Sequence, residues 1–256
     1  MATRVMGVLN ITPDSFSDGG RWTDPDAAVA RGLEMAAEGA QVIDVGGEST
    51  RPGAEPVNEA EECRRVVPVI AALAPSVRVS VDTRKAAVAE AAIAAGATLV
   101  NDVSASLWPV AAAAGVGWVA MHMRGEPRTM QRDVHYDDVV SEVQRFLVAR
   151  AEQAGAAGVG EVWVDPGIGF GKTAAHNLRL LRHLGELVAA GHPVLVGASR
   201  KAFLGTLLGG APVDDRLEGS LAVAVWAASA GAAMVRAHDV AATVGALRVV
   251  GEVAAA

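Results

Sequence analysis

Polar side chains recur in this chain directly after short apolar runs, eight times over. Carboxylates accept hydrogen bonds, whereas an amide both donates and accepts them. Asp82, Asn101 and Asp165 therefore suit a flat heterocycle with amino and lactam edges, unless each one merely caps the helix that follows it. The polar residues that end the eight runs are Asn10, Asp44 with Glu48, Asp82, Asn101 with Asp102, His122, Asp165, Ser199 with Lys201, and Arg236 with His238.

Basic side chains follow the last two apolar runs. Lys201 comes after Val-Gly-Ala-Ser-Arg, and Arg236 and His238 lie two residues apart. The planar fork of an arginine matches phosphate oxygens, so this set predicts a site for an anion. The alternatives are a salt bridge from Arg236 to Asp239 or to a loop carboxylate, and a solvated helix start at Lys201. For His238 the alternative is a hydrogen-bonded core histidine.

The sequence carries only a faint metal signal. No His/Cys cluster has the spacing of zinc ligands. Mg²⁺ needs few protein ligands, because it keeps waters and takes phosphate oxygens from a substrate. The side-chain oxygen of Asn10, at the end of the first apolar run, is a candidate Mg²⁺ ligand. Turn chemistry within Asn-Ile-Thr-Pro-Asp is the alternative.

The segment GFGKT, at 169–173, looks at first like a phosphate-binding loop. The Walker pattern requires a glycine where this chain has Pro166, and Gly167 comes one residue too late. This mismatch argues against a nucleotide triphosphatase. Gly167, Gly169 and Gly171 instead favour a backbone loop that lies close to a flat ligand.

The elements that position these residues alternate between apolar runs and Ala-rich stretches with helical spacing. Strands that alternate with helices predict an α/β protein with a parallel sheet. Eight such units in a chain of 256 residues predict a (β/α)8 TIM barrel, with its active site at the C-terminal ends of the strands. Since no linker composition appears, we expect a single domain over 1–256. The predicted strands are 5–10, 41–45, 77–82, 98–102, 118–122, 162–165, 194–197 and 233–237.

Helix boundaries follow from local signals. Helix one is expected to begin near Asp24, with Pro25 in its first turn, because proline is favoured at a helix start. Asn58 and Glu61 predict a capping box before helix two. The sixth helix is expected to end at Gly191, and the eighth to run from Asp214 or Asp215 to Gly231.

Two connections after strands are long, polar and rich in glycine and proline. They span 10–22 and 46–57. Long loops in compact domains are usually functional lids or disordered. Because both leave C-terminal ends of predicted strands, we expect lids over the site.

Composition limits the class of protein. The net charge is −7, which argues against nucleic-acid binding, where a basic patch is expected. The single cysteine, Cys63, cannot form an internal disulfide and suits a reducing cytoplasm. The uncharged stretch 219–235 is short for a spanning helix and is broken at Ser229 and Gly231, so no membrane segment is expected. The N-terminus leaves no room for a signal peptide before the first strand.

These residues resemble those of the dihydropteroate synthase family. The matching segments appear in family order along nearly the whole chain. They are VLNITPDSFSDGG (8–20), IDVGGESTRPGA (43–54), VSVDT (79–83), VNDVS (100–104), MHMRGEPRTMQ (121–131), DPGIGFGKT (165–173) with His176-Asn177, ASRKAFLG (198–205) and RAHDV (236–240).

The resemblance implies a (β/α)8 barrel that works in folate biosynthesis. Such an enzyme condenses 6-hydroxymethyl-7,8-dihydropterin diphosphate with 4-aminobenzoate, giving 7,8-dihydropteroate and diphosphate by a dissociative displacement. It also implies a homodimer and Mg²⁺. Asp82, Lys201, Arg236 and His238 would act in catalysis. By the same resemblance, the residues that hold the pterin are Asp82, Asn101, Asp165 and Lys201, and those that hold the diphosphate are Asn10, Arg236 and His238. Met121 and Phe170 would flank the pterin and aminobenzoate areas, and Gly197 would also bind substrate. The residues beside the aminobenzoate would be Thr50, Arg51, Pro52 and Ser199.

Two other readings stay open. One is a pterin-binding methyltransferase that acts on methyltetrahydrofolate, and the other is a catalytically silent pterin-binding paralogue. The chain also departs from the family pattern at three places. Ala105-Ser106 stands where the family usually has glycine, Ala202 where it often has serine, and Ala237 where valine is common. These departures concern affinity rather than activity.

Overall fold

The computed structural model describes residues 3–12, 24–49, 54–132 and 134–256. Eight parallel strands form a nearly closed barrel with helices between them, in the order β6-β5-β4-β3-β2-β1-β8-β7, so the predicted fold is confirmed. Buried apolar residues on both faces of the strands explain why the sheet is parallel. The strands are β1 (Arg4–Asn10), β2 (Val42–Gly46), β3 (Arg78–Asp82), β4 (Leu99–Asp102), β5 (Gly117–Met121), β6 (Val162–Asp165), β7 (Leu195–Val196) and β8 (Met234–Ala237).

Helices connect the strands. Asp24 and Asn58 cap the first two, accepting from the backbone N–H of Asp26 and Glu61. The predicted capping box is therefore half present, because the Glu61 carboxylate pairs with Arg65 instead. The helices are α1 (Pro25–Ala37), α2 (Glu59–Leu73), α3 (Ala86–Ala94), α4 (Trp108–Ala114), α5 (Val139–Ala156), α6 (Ala174–Arg182), α7 (Leu184–Val188), α8 (Ala202–Leu207), α9 (Leu217–Ser229) and α10 (Val240–Ala255).

The structure differs from the sequence prediction at three places, one of which is α8, for which no helix boundaries were predicted. The predicted sixth helix is divided into α6 and α7, since His183 leaves the helical conformation with φ −101° and ψ 19°. The prediction also stopped at the last strand, whereas α10 follows β8 and packs against α9 and β1. The stretch 219–235 covers most of α9 and the first two residues of β8. No helix among the described residues has the length and apolarity that crossing a membrane requires.

The barrel closes along a thin seam between β6 and β7. β7 has two residues, and its contact with β6 is the bridge between Val164 and Val194. The Val164 N–H donates to the carbonyl of Pro193 at 3.0 Å. The other neighbouring strands share three to five paired residues, or two for β7 with β8.

A layer of apolar side chains fills the barrel interior. Its members come from seven of the eight strands and are Met6, Val42, Leu99, Val119, Trp163, Leu195 and Met234. Because side chains alternate along a strand, the residues two positions further on point to the same interior, nearer the C-terminal end. The packed layer therefore acts as a floor, and the residues above it form a site.

Candidate active site

Four residues of the layer above this floor are polar. Two residues after Val42, Leu99, Trp163 and Met234 come Asp44, Asn101, Asp165 and Arg236. Asp44, Asn101 and Asp165 are buried, and Arg236 is half-buried. The two-residue period of the strands therefore explains how predicted residues far apart in sequence come together inside the barrel.

A cavity of about 620 Å³ lies over this layer, at the C-terminal ends of the strands. It is large enough for a drug-sized ligand. Eight predicted residues line it: Asn10, Asp82, Phe170, Gly197, Ser199, Lys201, Arg236 and His238.

Three predicted residues do not line the cavity but lie beside those that do. Asn101 is the ladder partner of Asp82, and Met121 packs in one buried apolar cluster with Phe170. An Asp165 carboxylate oxygen lies 3.7 Å from where a Cβ on Gly197 would be. The predicted Thr50, Arg51 and Pro52, and most of the first long loop, lie outside the described residues.

Arg236 is held by two carboxylates. Its Nε donates to Asp44 Oδ2 at 2.6 Å, and its Nη2 donates to Asp82 Oδ2 at 2.8 Å. The Asn101 side-chain amide also donates to Asp44 Oδ2, at 2.8 Å. The proposed alternative of a salt bridge to Asp239 is wrong, because Asp239 pairs with Arg200 at 2.6 Å.

Burial changes the ionisation of the acidic groups. It raises the pKa of Asp82 to about 7. The negative charge of Asp44 adds to this shift, and the positive charge of Arg236 opposes it. It raises the pKa of Asp165 to about 6, although an N–H from Gly167 opposes the shift. Burial alone would lower the pKa of Arg236, but Asp44 and Asp82 raise it. N–H groups donated by a ligand would favour the ionised form of both carboxyl groups and so oppose the effect of burial.

A different aspartate, Asp102, accepts several backbone N–H groups in the turn before α4. Asp102 accepts from the backbone N–H groups of Ser106 and Leu107 at 2.7 and 2.6 Å, and from the indole of Trp118. Asp165 accepts from Gly167 within its own turn. Asp102 therefore stabilises the turn that leads into α4, whereas Asn101 donates its amide N–H to Asp44 and Asp82 binds Arg236.

The side chains after β7 and β8 face the same cavity. The ammonium of Lys201 lies 3.9 Å from the ring centroid of Phe170, at cation–π distance. His238 Nδ1 lies 3.0 Å from Ser199 Oγ. The basic groups and an aromatic ring thus share one wall, as a ligand with both a flat ring and an anionic group requires.

Sequence reasoning missed the role of Lys172, inside the Gly-rich loop. Its ammonium is buried and contacts four acceptors at 3.0–3.1 Å: His122 Nδ1 and the carbonyls of His122, Gly167 and Phe170. Burial lowers the pKa of Lys172 to about 7. A lysine within an otherwise apolar, glycine-rich segment was the available signal.

The glycines of this loop serve its own packing. Gly167, Gly169 and Gly171 have φ values of +64°, +86° and +61°. A Cβ on Gly167 would lie 1.9 Å from the His122 carbonyl oxygen, and one on Gly171 would lie 2.4 Å from that of Arg124. The expectation that they admit a ligand therefore needs correction for Gly167 and Gly171, because the chain itself occupies that space.

Asn10 is the residue that fits a magnesium ion. Its amide lines the cavity with Arg236 and His238. A Cβ on Gly46 would lie 3.5 Å both from Asn10 Oδ1 and from Asp82 Cβ. In the part of the chain that the structure describes, no group of three His, Cys, Asp or Glu residues is placed to hold a metal. An oxygen ligand beside an anion wall suits Mg²⁺, which takes its remaining ligands from water and phosphate.

Comparisons with known proteins agree with this geometry. A family model described as "Pterin binding enzyme" matches residues 6–238. The dihydropteroate synthase of Mycobacterium leprae (strain TN) is 51% identical over 262 residues, covering 97% of this chain and 92% of that protein.

Solved structures extend the likeness to the whole fold. A crystal structure of Yersinia pestis dihydropteroate synthase with a sulfonamide drug complex is 46% identical, with a TM-score of 0.96, and covers 100% of this chain and 95% of its own. That of Xanthomonas albilineans with 4-aminobenzoic acid is 50% identical, with a TM-score of 0.92, covering 100% and 94%. The chain therefore belongs to the dihydropteroate synthase family of pterin binding enzymes.

Proposed function

We propose that this chain condenses 6-hydroxymethyl-7,8-dihydropterin diphosphate with 4-aminobenzoate, giving 7,8-dihydropteroate and diphosphate. The observation that carries the proposal is the joint placement of Asp82, Asn101 and Asp165 below a cavity whose wall holds Arg236 and His238. Hydrogen-bond acceptors for a heterocycle and cations for an anion then meet in one space. The relative from Xanthomonas albilineans, solved with 4-aminobenzoic acid, supports the second substrate.

The polar layer binds the pterin. Asp82 and Asp165 accept ring N–H groups, and Asn101 contributes its amide. Lys201 lies over the ring of Phe170, so that the pterin contacts its ammonium and aliphatic stem. Met121 and Phe170 belong to one buried apolar cluster, and Gly197 leaves room beside Asp165.

The leaving diphosphate is bound by the basic side chains at the C-terminal end of β8. Arg236 and His238 donate to its oxygens, and Asn10 would hold Mg²⁺. When bound, Mg²⁺ supplies positive charge against the diphosphate oxygens. Because the positive groups are already placed where negative charge develops, they stabilise the departing anion without rearrangement.

Displacement is dissociative in this proposal. The bond from the pterin methylene to the diphosphate oxygen breaks first and leaves a cation stabilised by the pterin ring. The amine of 4-aminobenzoate then attacks and loses a proton. No covalent nucleophile is needed, so catalysis depends on positioning and electrostatics. Thr50, Arg51, Pro52 and Ser199 are the residues assigned to the aminobenzoate.

A coupled assay for diphosphate release tests the function. We expect release to require both substrates and Mg²⁺, with 7,8-dihydropteroate as the product. Pterin binding without release would indicate a silent paralogue. Methyl transfer from methyltetrahydrofolate to a corrinoid acceptor would indicate the methyltransferase.

We also propose a homodimer in a reducing cytoplasm. The side chain of Trp226 in α9 is 55% exposed, and its indole N–H donates to the carbonyl of Leu181 in α6. Leu178, one helical turn before Leu181, is also exposed, so the two helices present an apolar surface. Cys63 as the lone cysteine supports the compartment. Sedimentation should give a dimer that Trp226→Glu dissociates, whereas a monomeric wild type would contradict the assignment.

A further inference from the structure

Asp44 connects two parts of the site that bind different chemical groups. One carboxylate oxygen, Oδ2, accepts from Asn101 Nδ2 at 2.8 Å and from Arg236 Nε at 2.6 Å. Asn101 ends β4 and Arg236 lies in β8, while Asp44 lies in β2. A single atom therefore joins a residue of the heterocycle layer to a residue of the anion wall.

Asp44 itself does not face the cavity. Its side chain is fully buried, and it is absent from the residues that line the cavity. Its second oxygen, Oδ1, is buried without a hydrogen-bond partner among the described residues. An unpaired buried carboxylate oxygen costs stability, and apolar side chains of similar volume often replace buried ion pairs without loss. Stability alone thus gives a weak account of this carboxylate.

We propose that Asp44 is a positioning residue that orients Asn101 toward the pterin and Arg236 toward the diphosphate at the same time. The inference rests on the proposed function of this site. Because Asp44 is purely an acceptor, it takes the NH₂ end of Asn101, which presents the amide oxygen to ring N–H groups of the ligand.

The same carboxylate sets the direction of the guanidinium. Asp44 holds Nε and Asp82 holds Nη2. Among the described residues, these two carboxylates occupy Nε and Nη2 of the guanidinium. The remaining nitrogen, Nη1, is then placed to donate to an oxygen of the diphosphate. Asp44 thereby couples the two halves of one substrate without contacting either half.

Asp102 offers a matched control. It is equally buried and lies next to Asn101 in β4. Its partners are the hydroxyl of Ser104, backbone N–H groups of the following turn and the indole of Trp118, none of which belongs to the proposed site. Removing either carboxylate deprives buried donors of an acceptor. Only the removal of Asp44, however, takes away a hydrogen-bond acceptor of Asn101 and Arg236.

The experiment compares Asp44→Ala, Asp44→Asn and Asp102→Ala by calorimetry with two probes. The probes are 6-hydroxymethyl-7,8-dihydropterin and inorganic diphosphate with Mg²⁺. Asp44→Ala should weaken both probes about tenfold or more, since hydrogen bonds to charged partners are lost. Asp44→Asn keeps an acceptor oxygen but not the charge, so it should restore pterin binding and leave diphosphate binding weakened.

The control sets the opposite expectation. Asp102→Ala should lower the unfolding temperature and leave both affinities within about twofold of the wild type, a difference below 1 kcal/mol. Steady-state kinetics should agree, with KM for the pterin diphosphate raised in Asp44→Ala and unchanged in Asp102→Ala.

Clear outcomes would overturn the proposal. A folded Asp44→Ala that binds both probes like the wild type would do so, as would an Asp102→Ala that weakens both equally. If Asp44→Ala does not fold, full diphosphate affinity in Asp44→Asn would overturn it, and so would failure of both variants to fold. A wild type that binds both probes but releases no diphosphate in the coupled assay would instead reject the proposed function.

Discussion

Two buried clusters in this barrel share one design, a cation between two carboxylates, and differ in how completely they are satisfied. The Arg236 cluster consists of Arg236, Asp44 and Asp82. The Lys85 cluster consists of Lys85, Glu48 and Glu62, with both ion pairs at 2.5 Å. In the Arg236 cluster each carboxylate has a buried oxygen without a hydrogen-bond partner among the described residues, Asp44 Oδ1 and Asp82 Oδ1.

The Lys85 cluster satisfies its groups within the protein. Glu62 accepts from the hydroxyl of Thr83 at 2.7 Å, and Glu48 accepts from the N–H of Val57 at 2.9 Å. Lys85 also donates to the Val57 carbonyl at 2.7 Å. The Lys85 cluster therefore links Glu48 to Val57, the two ends of the segment 48–57.

The difference separates structure from binding. A charged cluster that is already satisfied contributes to stability, whereas one with unpaired oxygens beside a cavity has capacity left for a ligand. The pKa shifts in the two clusters agree with this difference. Burial raises the pKa of Asp82, whereas hydrogen bonds from Lys85 and Val57 outweigh burial and lower that of Glu48.

The largest expected effect is on stability, from Lys85→Met. It leaves Glu62 as a buried carboxylate without its ion-pair partner and leaves Glu48 paired with Arg84. The free energy of unfolding should therefore fall by about 3–5 kcal/mol. Urea unfolding measures this, and binding of diphosphate with Mg²⁺ should stay unchanged. A variant of normal stability that has lost diphosphate binding would remove the distinction between the clusters.

The second prediction concerns Arg236→Met. Loss of a preorganised donor to the leaving group should lower kcat/KM roughly 100- to 1,000-fold. Arg236→Lys is the matched control, because it keeps the charge but loses the fork, and should recover only part of the activity. Unchanged binding of free diphosphate with Mg²⁺ by Arg236→Met would show that the anion site is elsewhere.

The clusters should respond oppositely to pH. Asp82 has a folded pKa of about 7, above its ordinary 3.8, so the folded state binds more protons and stability falls as pH rises between these values. Glu48 has a folded pKa below its ordinary 4.5, so its contribution is present above that value and is lost as pH falls through the folded pKa. The free energy of unfolding of Asp82→Asn, measured across this pH range, should not show the fall caused by Asp82. That of Glu48→Gln should not show the loss at low pH caused by Glu48. Parallel profiles for both variants would contradict the comparison.

The smallest effects are expected at the edge of the Lys85 cluster. Thr83→Val leaves Glu62 short of one buried hydrogen bond and should cost about 1–3 kcal/mol of stability. Arg84→Ala removes a half-exposed pair with Glu48 and should cost less than about 1 kcal/mol. Thermal unfolding ranks the two, and the reverse order would show that exposure does not govern these contacts.

The fold and the members of the site could be predicted because both follow from local patterns. Polar residues lie at or just beyond the end of each predicted strand, and parallel strands place those ends on one side of the barrel. The pairing of Arg236 could not be read in the same way, because its partners come from β2 and β3. A salt bridge to the neighbouring Asp239 was the local guess, and Arg200 occupies that carboxylate instead.

Backbone conformation also escaped the sequence. Ala105 has φ +50°, a left-handed conformation that explains why the family usually has glycine there, and it costs an alanine roughly 1–2 kcal/mol. The break at His183 and the helix α10 depend on packing that no local signal specified. The roles of the individual site residues, the single domain over 1–256 and the lid function of the loops stay predictions.

The thin seam between β6 and β7 has a consequence for amide hydrogen exchange. Few backbone bonds cross it, so the amides of Val164 and Val196 should exchange through local opening far earlier than those of β1 to β4. Asp165 ends one side of the seam, and Gly197 to Lys201 follow the other. A pterin bound to both sides would act as a crosslink, so the protection it confers should be concentrated at the weakest join of the barrel.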